Sequence, residues 1–431
     1  MQTPEDNSIN YEYISPIGYS YYANATSISA KFYQTLLDRC WRRSGKLLYR
    51  PDQRRSCCPH YTIRLDSGQF KPSRDQRQTV NRFNRFVLGE RYISDAARIH
   101  PKTRQEVKRR DNEFSLVDRV HEAEYEKLQT PPEPAHKLVV TLEEDNFTEE
   151  KYQVYDNYQK VVHREPLEDR TPRAFKRFLC SSPLRREVMV TPDGQERKLG
   201  SFHQCYRLDG VLVAFGVLDL LPDCVSSVYF LYHDSLHKQT PGKLGAMHEI
   251  ALAKEQGYRW WYPGFYIHNC PKMKYKIDYT PQYILDPSSL GWDALDRTVL
   301  GLLDQKPFLS LSIERQLAFT ADSGAWSDEQ RGSQGQGQNG DGDENEDIRS
   351  LFQSSMPGIT CASDMKEVDL DHIALKVFPT GPLFETSDLV AWDSKTITDW
   401  PGLKASVAEL VAAIGPDTKD LICLDMARER A

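Results

Sequence analysis

Nowhere does the chain reach the run of about 18 apolar residues that a membrane-spanning helix needs, so no membrane partner is expected. The opening Met1-Gln2-Thr3-Pro4-Glu5-Asp6 lacks the basic and apolar regions of a secretory signal. Cysteines number nine, an odd count without regular spacing, which excludes a disulfide framework and points to a reducing compartment, the cytoplasm or nucleus. The chain also has no G-x-S-x-G, no H-E-x-x-H and no convincing Ser/His/Asp set, so a serine nucleophile and a zinc-bound water are both without a sequence basis.

What is present describes a globular protein long enough for two domains plus appendages: 431 residues, 39% hydrophobic and 27% charged. The formal net charge of -7 hides an asymmetry, because Lys31 to Arg110 holds 21 Lys/Arg against 7 Asp/Glu. Such a field attracts polyanions. Interleaved Trp41, Tyr49, Tyr61, Phe70, Phe83 and Phe86 favour a nucleic acid, although a solvated basic surface over an aromatic core reads the same way.

The most informative stretch runs from Trp260 to Lys276, W-W-Y-P-G-F-Y-I-H-N-C-P-K-M-K-Y-K. Six aromatics share it with Pro263, Gly264 and Pro271, and Lys272, Lys274 and Lys276 close it. An ordinary core strand avoids those breakers. The mixture suits a strand that opens at a bulge beside a pocket, where cations and aromatic faces meet an anionic, planar ligand.

Elsewhere the pattern is α+β. A short helix is expected over Lys31 to Arg39, strands over Lys46 to Arg50 and Tyr61 to Leu65, and a second helix over Gln76 to Leu88. Residues 95–136 are so rich in charge that they read as a partly disordered insert. A strand at Lys137 to Leu142 and a helix from Thr148 to His163 follow. Asp209-Gly210 between two apolar runs predicts a hairpin, Phe202 to Leu208 with Val211 to Leu218. Then come a strand at Val225 to Tyr232, a helix from Pro241 to about Gln256, and the aromatic stretch. Hairpin, strand, helix, splayed strand is the order of a GNAT-like acyltransferase domain with a mixed sheet. The expected units are a basic N-terminal α+β domain (1–94), the insert (95–136), the GNAT-like domain (137–320), a disordered acidic linker (321–348) and a tail (349–431) whose clearest element is a helix at Val407 to Ile414.

Gly264-Phe265-Tyr266-Ile267, Cys270-Pro271-Lys272-Met273 and Tyr275-Lys276 closely resemble the signature of the arginyl-tRNA–protein transferases. Ser201-Phe202-His203-Gln204, Leu208-Asp209-Gly210, Asp219-Leu220-Leu221-Pro222 and Ser226-Ser227-Val228-Tyr229 resemble the same family, as do Trp41-Arg42-Arg43-Ser44-Gly45 and Cys57-Cys58-Pro59 with Tyr61-Thr62-Ile63-Arg64. The resemblance covers roughly residues 17 to 290. It implies transfer of arginine from Arg-tRNA to the α-amino group of proteins beginning with Asp or Glu, in the N-degron pathway. The partners implied are Arg-tRNA and acidic N-termini, with no DNA and no required cofactor.

That chemistry needs no strong nucleophile, because the ester is activated and an α-amine has a pKa of about 7.7–8.0. It needs alignment and a stabilised oxyanion. Among residues matching the family's motifs, His203 is placed to accept the amine's proton and Asp219 to bind the amine or the arginyl guanidinium. Tyr229 and Lys272 complete the candidate catalytic set, with Ser226 and Ser227 offering hydroxyls. Lys274 and Lys276 suit terminal phosphates, and Tyr266 and Tyr275 suit stacking on the terminal adenine. One of Arg42, Arg43 and Arg64 is expected to grip the acidic side chain, unless the three are a general basic patch. Of the family's cluster-binding cysteines only Cys57 and Cys58 remain, since Ile17 and Ser20 stand where the other pair belongs, so no iron–sulfur cluster or other metal is expected. The rival readings are a related transferase using another donor, such as leucyl-tRNA or an acyl-CoA, and a non-catalytic protein that binds tRNA or degrons.

Overall fold

The computed structural model describes residues 7–10, 20–322 and 350–427. The expected linker lies outside them beyond Asp322, as does Ile17. The N-terminal part supplies β1 (Ser8–Asn10), β2 (Ser20–Ser27), α1 (Ala30–Leu37), β3 (Arg42–Ser44), β4 (Leu47–Pro51) and β5 (Tyr61–Asp66). Helices α2 (Arg74–Ile99), α3 (Arg104–Asn112) and α4 (Leu116–Val120) follow. Next are β6 (Leu138–Glu144), α5 (Glu149–Tyr158), α6 (Pro172–Leu179), β7 (Glu187–Val190), β8 (Glu196–Leu208), β9 (Val211–Leu221) and β10 (Cys224–Tyr232). Then come α7 (Pro241–Glu255), β11 (Trp260–Tyr262), β12 (Phe265–Tyr266), β13 (Gln282–Leu285), β14 (Trp292–Ala294), α8 (Arg297–Gln305) and α9 (Leu311–Asp322). The C-terminal part adds β15 (Ala374–Lys376), β16 (Phe384–Glu385), α10 (Leu403–Ile414) and β17 (Cys423–Asp425).

Local chemistry accounts for many of these elements. Asp209 and Gly210 both take positive φ, 53° and 83°, the conformation a two-residue type I′ hairpin turn requires. Thr148 caps α5 by accepting the Lys151 N–H at 3.3 Å. Helix α7 is buried at every position from Leu244 to Ala253, so it is a core helix rather than an amphipathic one.

Residues 95–136 depart from expectation. Helix α2 does not stop at Leu88; it kinks at Gly89 (φ 76°) and runs on to Ile99. At the kink Ala135 N–H donates to Leu88 O and His136 N–H to Val87 O, which ties the far end of the segment down. A capping box between Thr103 and Glu106 starts α3, and α4 buries Leu116 and Val120. Capping and a small apolar anchor give this polar segment its helices.

The strands form a ten-stranded mixed sheet, ordered β14-β13-β5-β11-β10-β9-β8-β6 with β12 paired to β5 and β7 to β8, and a seven-stranded sheet ordered β16-β15-β17-β1-β2-β4-β3. The fold is therefore α+β with mixed sheets. Both sheets run across the expected unit boundaries. β5 pairs with β11, β12 and β13, and β17 lies parallel between β15 and β1. The tail is thus packed into the body, and α10 buries all ten residues from Ala405 to Ile414.

One junction sets up the site. β10 and β11 are parallel neighbours through Ser226 and Tyr262, their last pair. Beyond it they part: β10 bulges between Ser227 and Tyr229 against β9, while β12 leaves to pair with Tyr61 and Thr62 of β5.

Candidate functional site

The opening between β10 and β12 is edged by Gly264, whose φ of +83° carries the chain away from β10. A Cβ there would lie 3.7 Å from Ser227 O and 3.6 Å from Lys276 Nζ, so both groups border Gly264 at the gap. Lys276 is buried, and its ammonium donates to Phe265 O at 2.7 Å. Burial, reinforced by the Arg42 charge, lowers its pKa to about 8. Behind the gap lies Glu249 of α7, 2% exposed, which accepts from Trp261 Nε1 at 2.8 Å and Ser227 Oγ at 3.2 Å. Burial pushes this carboxyl up to about 7.

The three candidate arginines part company here. Arg43 makes a two-point ion pair with Asp219 and also donates to Ser201 Oγ, all buried. Arg64 is held between two indoles, 3.8 Å from the Trp260 centroid and 3.9 Å from that of Trp292. Its Nη1 reaches Tyr262 Oη at 3.4 Å, and that hydroxyl donates to Asp38. Arg42 is different. It is 6% exposed, its guanidinium sits 4.9 Å over the Phe265 ring, and Nη1 donates to Trp41 O. Its Nε and Nη2 have no hydrogen-bond partner among the described residues. Those two N–H groups form the edge of a guanidinium that fits a carboxylate side-on.

The remaining candidates scatter. His203 is fully buried, with Nε2–H donated to Leu179 O at 3.0 Å. Burial and nearby Lys151 lower its pKa to about 4, so it stays neutral beneath the sheet. Asp219 is consumed by Arg43. Tyr229 Oη meets His163 Nε2 at 3.0 Å, within an aromatic cluster with Tyr158 and Phe178. Ser226 is buried between sheet partners Asp219 and Tyr262. Tyr266 is wholly buried, and its hydroxyl donates to His268 Nδ1, whose Nε2–H goes to Asp304. Lys272, Lys274 and Tyr275 are exposed. The geometry gathers Arg42, Ser227 and Lys276 at the gap and leaves His203, Asp219, Arg43 and Tyr266 bound into the framework.

Glu249, Trp261, Asp38 and Trp292 were not among the sequence candidates. Glu249 had a signal: with His248 it interrupts an otherwise apolar helix, which marks a buried polar group. Asp38 and Trp292 had none, since they reach Arg64 from distant parts of the chain.

Cys57 and Cys58 are exposed, with their sulfurs 3.3 Å apart. Cys40 is buried, and Ser20 is a strand residue of β2. Among the described residues no group of three or more His, Cys, Asp or Glu is placed to hold a metal ion. Two adjacent thiols do not fit a four-thiolate cluster.

Fold and site together define an α+β protein with buried, incompletely paired cations at a parted pair of parallel strands. The family model described as "Arginine-tRNA-protein transferase, N terminus" matches residues 10–78, and that described as "Arginine-tRNA-protein transferase, C terminus" matches residues 150–286. The two matches lie in the order N terminus then C terminus along the chain and support membership of this family. It is 30% identical over 264 residues to arginyl-tRNA–protein transferase 1 of Saccharomyces cerevisiae, covering 57% of this chain and 47% of that one. With arginyl-tRNA–protein transferase 1 of Drosophila melanogaster it shares 27% identity over 392 residues, covering 67% of this chain and 80% of the relative. The aspartate/glutamate leucyltransferase of Pseudomonas fluorescens is 28% identical over 254 residues, 59% of this chain and 79% of that protein. The chain thus spans about half the length of the yeast relative and four-fifths of the other two.

Proposed function

We propose that this protein transfers arginine from Arg-tRNA to the α-amino group of proteins beginning with Asp or Glu, marking them for the N-degron pathway in the cytoplasm or nucleus. The observation that supports the acceptor rule is the buried Nε–Nη2 edge of Arg42, which no described group satisfies, beside Phe265 of β12. A buried guanidinium with two free donors is costly unless a ligand completes it. An N-terminal Asp or Glu side chain does so with two charge-assisted hydrogen bonds. Lys276, also buried and donating to Phe265 O rather than to a carboxylate, adds positive potential for a developing oxyanion.

The catalytic unit is read as GNAT-like: hairpin β8–β9, third strand β10, core helix α7, then the splayed β11. Exposed Lys272, Lys274 and Tyr275 stand at the rim for the terminal nucleotides of the tRNA. The exposed arginines of α2 and α3, among them Arg85, Arg91, Arg104 and Arg109, offer a track for its phosphates. The donor ester is already activated, so the protein's task is to hold amine and carbonyl together and to manage one proton.

A second reading keeps the acceptor rule and changes the donor to leucyl-tRNA; the similarity to the Pseudomonas leucyltransferase favours it. The test is transfer of labelled arginine or leucine from charged tRNA to peptides beginning Asp, Glu or Ala. Arginine on the Asp and Glu peptides alone is expected. Leucine in its place selects the second reading. No labelling, with the tRNA intact and bound, leaves a binding protein.

A further inference from the structure

The mechanism above leaves one buried group without a task. Glu249 is a carboxylate in the core of the sheet–helix interface, with no Lys, Arg or His in an ion pair with it among the described residues. Its two oxygens accept from Trp261 Nε1 and Ser227 Oγ. The first donor is a fixed, buried indole. The second belongs to half-buried Ser227, whose backbone carbonyl faces Gly264 where β10 leaves β11, beside the bulge that turns the strand. Ser227 thus lies between an enclosed carboxylate and the gap at which the acceptor amine would enter. Burying a carboxylate without a counter-ion costs several kcal/mol. Glutamine would make the same two contacts with no charge to bury.

We propose that Ser227 and Glu249 form a proton relay for amide formation, with Ser227 touching the amine and Glu249 acting through it. This rests on the aminoacyl-transfer reading given above. The neutral amine adds its lone pair to the ester carbonyl, forming the C–N bond as the carbonyl π pair moves onto oxygen. The nitrogen then gives a proton to Ser227 Oγ, which passes its own to Glu249 Oε1. When the adduct collapses, the C–O bond to the ribose breaks, and the ribose oxygen takes the proton back from Glu249 through Ser227. Ester and amine become amide and hydroxyl, the relay returns to its starting state, and no further reactant is needed.

The electrostatics suit the role. Burial brings the carboxyl to about 7, close to neutrality, where a group can both take and return a proton. The groups facing it are Lys276 from the turn after β12, which favours ionisation, and the phenols of Tyr206 on β8 and of Tyr275 and Tyr279 beside Lys276. Lys276 is the one cation among them. Burial keeps the phenols of Tyr206 and Tyr279 above their ordinary range.

The experiment is the pH dependence of kcat/KM for an Asp-peptide and Arg-tRNA, from pH 5 to 9, in the full chain and in Glu249→Gln and Ser227→Ala. In the parent protein two groups must be deprotonated, amine and Glu249, so log rate should fall on the acid side with a limiting slope of two. In Glu249→Gln the slope should become one, set by the amine alone, with kcat lowered about 100- to 10,000-fold and tRNA binding intact. Ser227→Ala, which empties no core position, should show the same change of slope and keeps the test decisive if Glu249→Gln folds poorly. A parent slope of one, or a slope of two retained in both variants, overturns the relay while leaving transfer established. Absence of transfer by the parent protein overturns the underlying reading and the relay with it.

Discussion

Arg43 and Asp219 are joined by two hydrogen bonds, Nε to Oδ2 at 2.8 Å and Nη2 to Oδ1 at 2.6 Å, in a place where neither side chain touches water. The pair locks β3 to β9 and so fixes the strand on which Arg42 sits. Two adjacent arginines thus serve different ends: one is spent on architecture and the other keeps two buried donors without a partner among the described residues.

Breaking the pair from one side leaves an uncompensated buried charge. Asp219→Ala should therefore cost about 3–5 kcal/mol, read as a lowered denaturant midpoint. Replacing both residues with apolar ones, Arg43→Met with Asp219→Leu, should recover most of that loss. A double variant no more stable than the single one would show that the pair does more than neutralise itself.

Arg42→Lys retains the charge and removes the side-on fork. KM for Asp- and Glu-peptides should rise roughly 10- to 100-fold, the loss of one charge-assisted contact, with thermal stability and tRNA affinity little changed. An unaltered KM would assign acidic recognition elsewhere.

His203 gives a pH signature of stability rather than activity. Folding holds it neutral, with its pKa lowered from 6.5 to about 4 chiefly by burial. Its contribution is complete above pH 6.5 and is lost as pH falls toward 4, about 3 kcal/mol in all. Protonation would also create an Nδ1–H without an acceptor, because that atom already lacks a partner among the described residues. His203→Gln, which can still donate to Leu179 O, should flatten the fall in denaturant midpoint between pH 6.5 and 4.5. Buried His248, lowered to about 3, will leave a residual slope of the same sign.

Local chemistry was well written in the sequence. Asp209-Gly210 fixed the hairpin, Pro241 and Gly257 bracketed α7, and the breakers after Tyr262 foretold that the strand would open. The bulge itself lies on the neighbouring strand, at Val228, where only the register with β9 reveals it. Two kinds of information were not legible. Helix α3 is polar on all sides, so its periodicity is silent and only its capping box speaks for it. The parallel partner of β1 and the partners of the buried arginines lie far along the chain, and strands of three residues carry no sign of what they will join. Motif matching gathered Arg42, Arg43 and Arg64 into one group, whereas their division of labour depends on Asp219, Trp260 and Trp292, a three-dimensional fact.

The C-terminal part should behave as structural support for the site. Ala413 O accepts from both Trp41 Nε1 and Arg50 Nη1, and Arg39 pairs with Asp417, so α10 braces the segment that carries Arg42. Leu410→Ala, at a position with no exposure, should cost about 2–5 kcal/mol and reduce transfer to acidic peptides at temperatures where the parent protein is fully active. A stability loss without any change in transfer near the melting range would uncouple α10 from the site.

The placement of β17 between β15 and β1 has a consequence for biosynthesis. A ribosome releases β1 through β4 first, yet β1 lacks its parallel neighbour until residues 423–425 have emerged. Until α10 and β17 have both emerged, the segment bearing Arg42 has no brace behind it. Nascent chains interrupted anywhere before that point should depend on chaperones and fail to act on acidic N-termini, so a working molecule requires translation to pass residue 425.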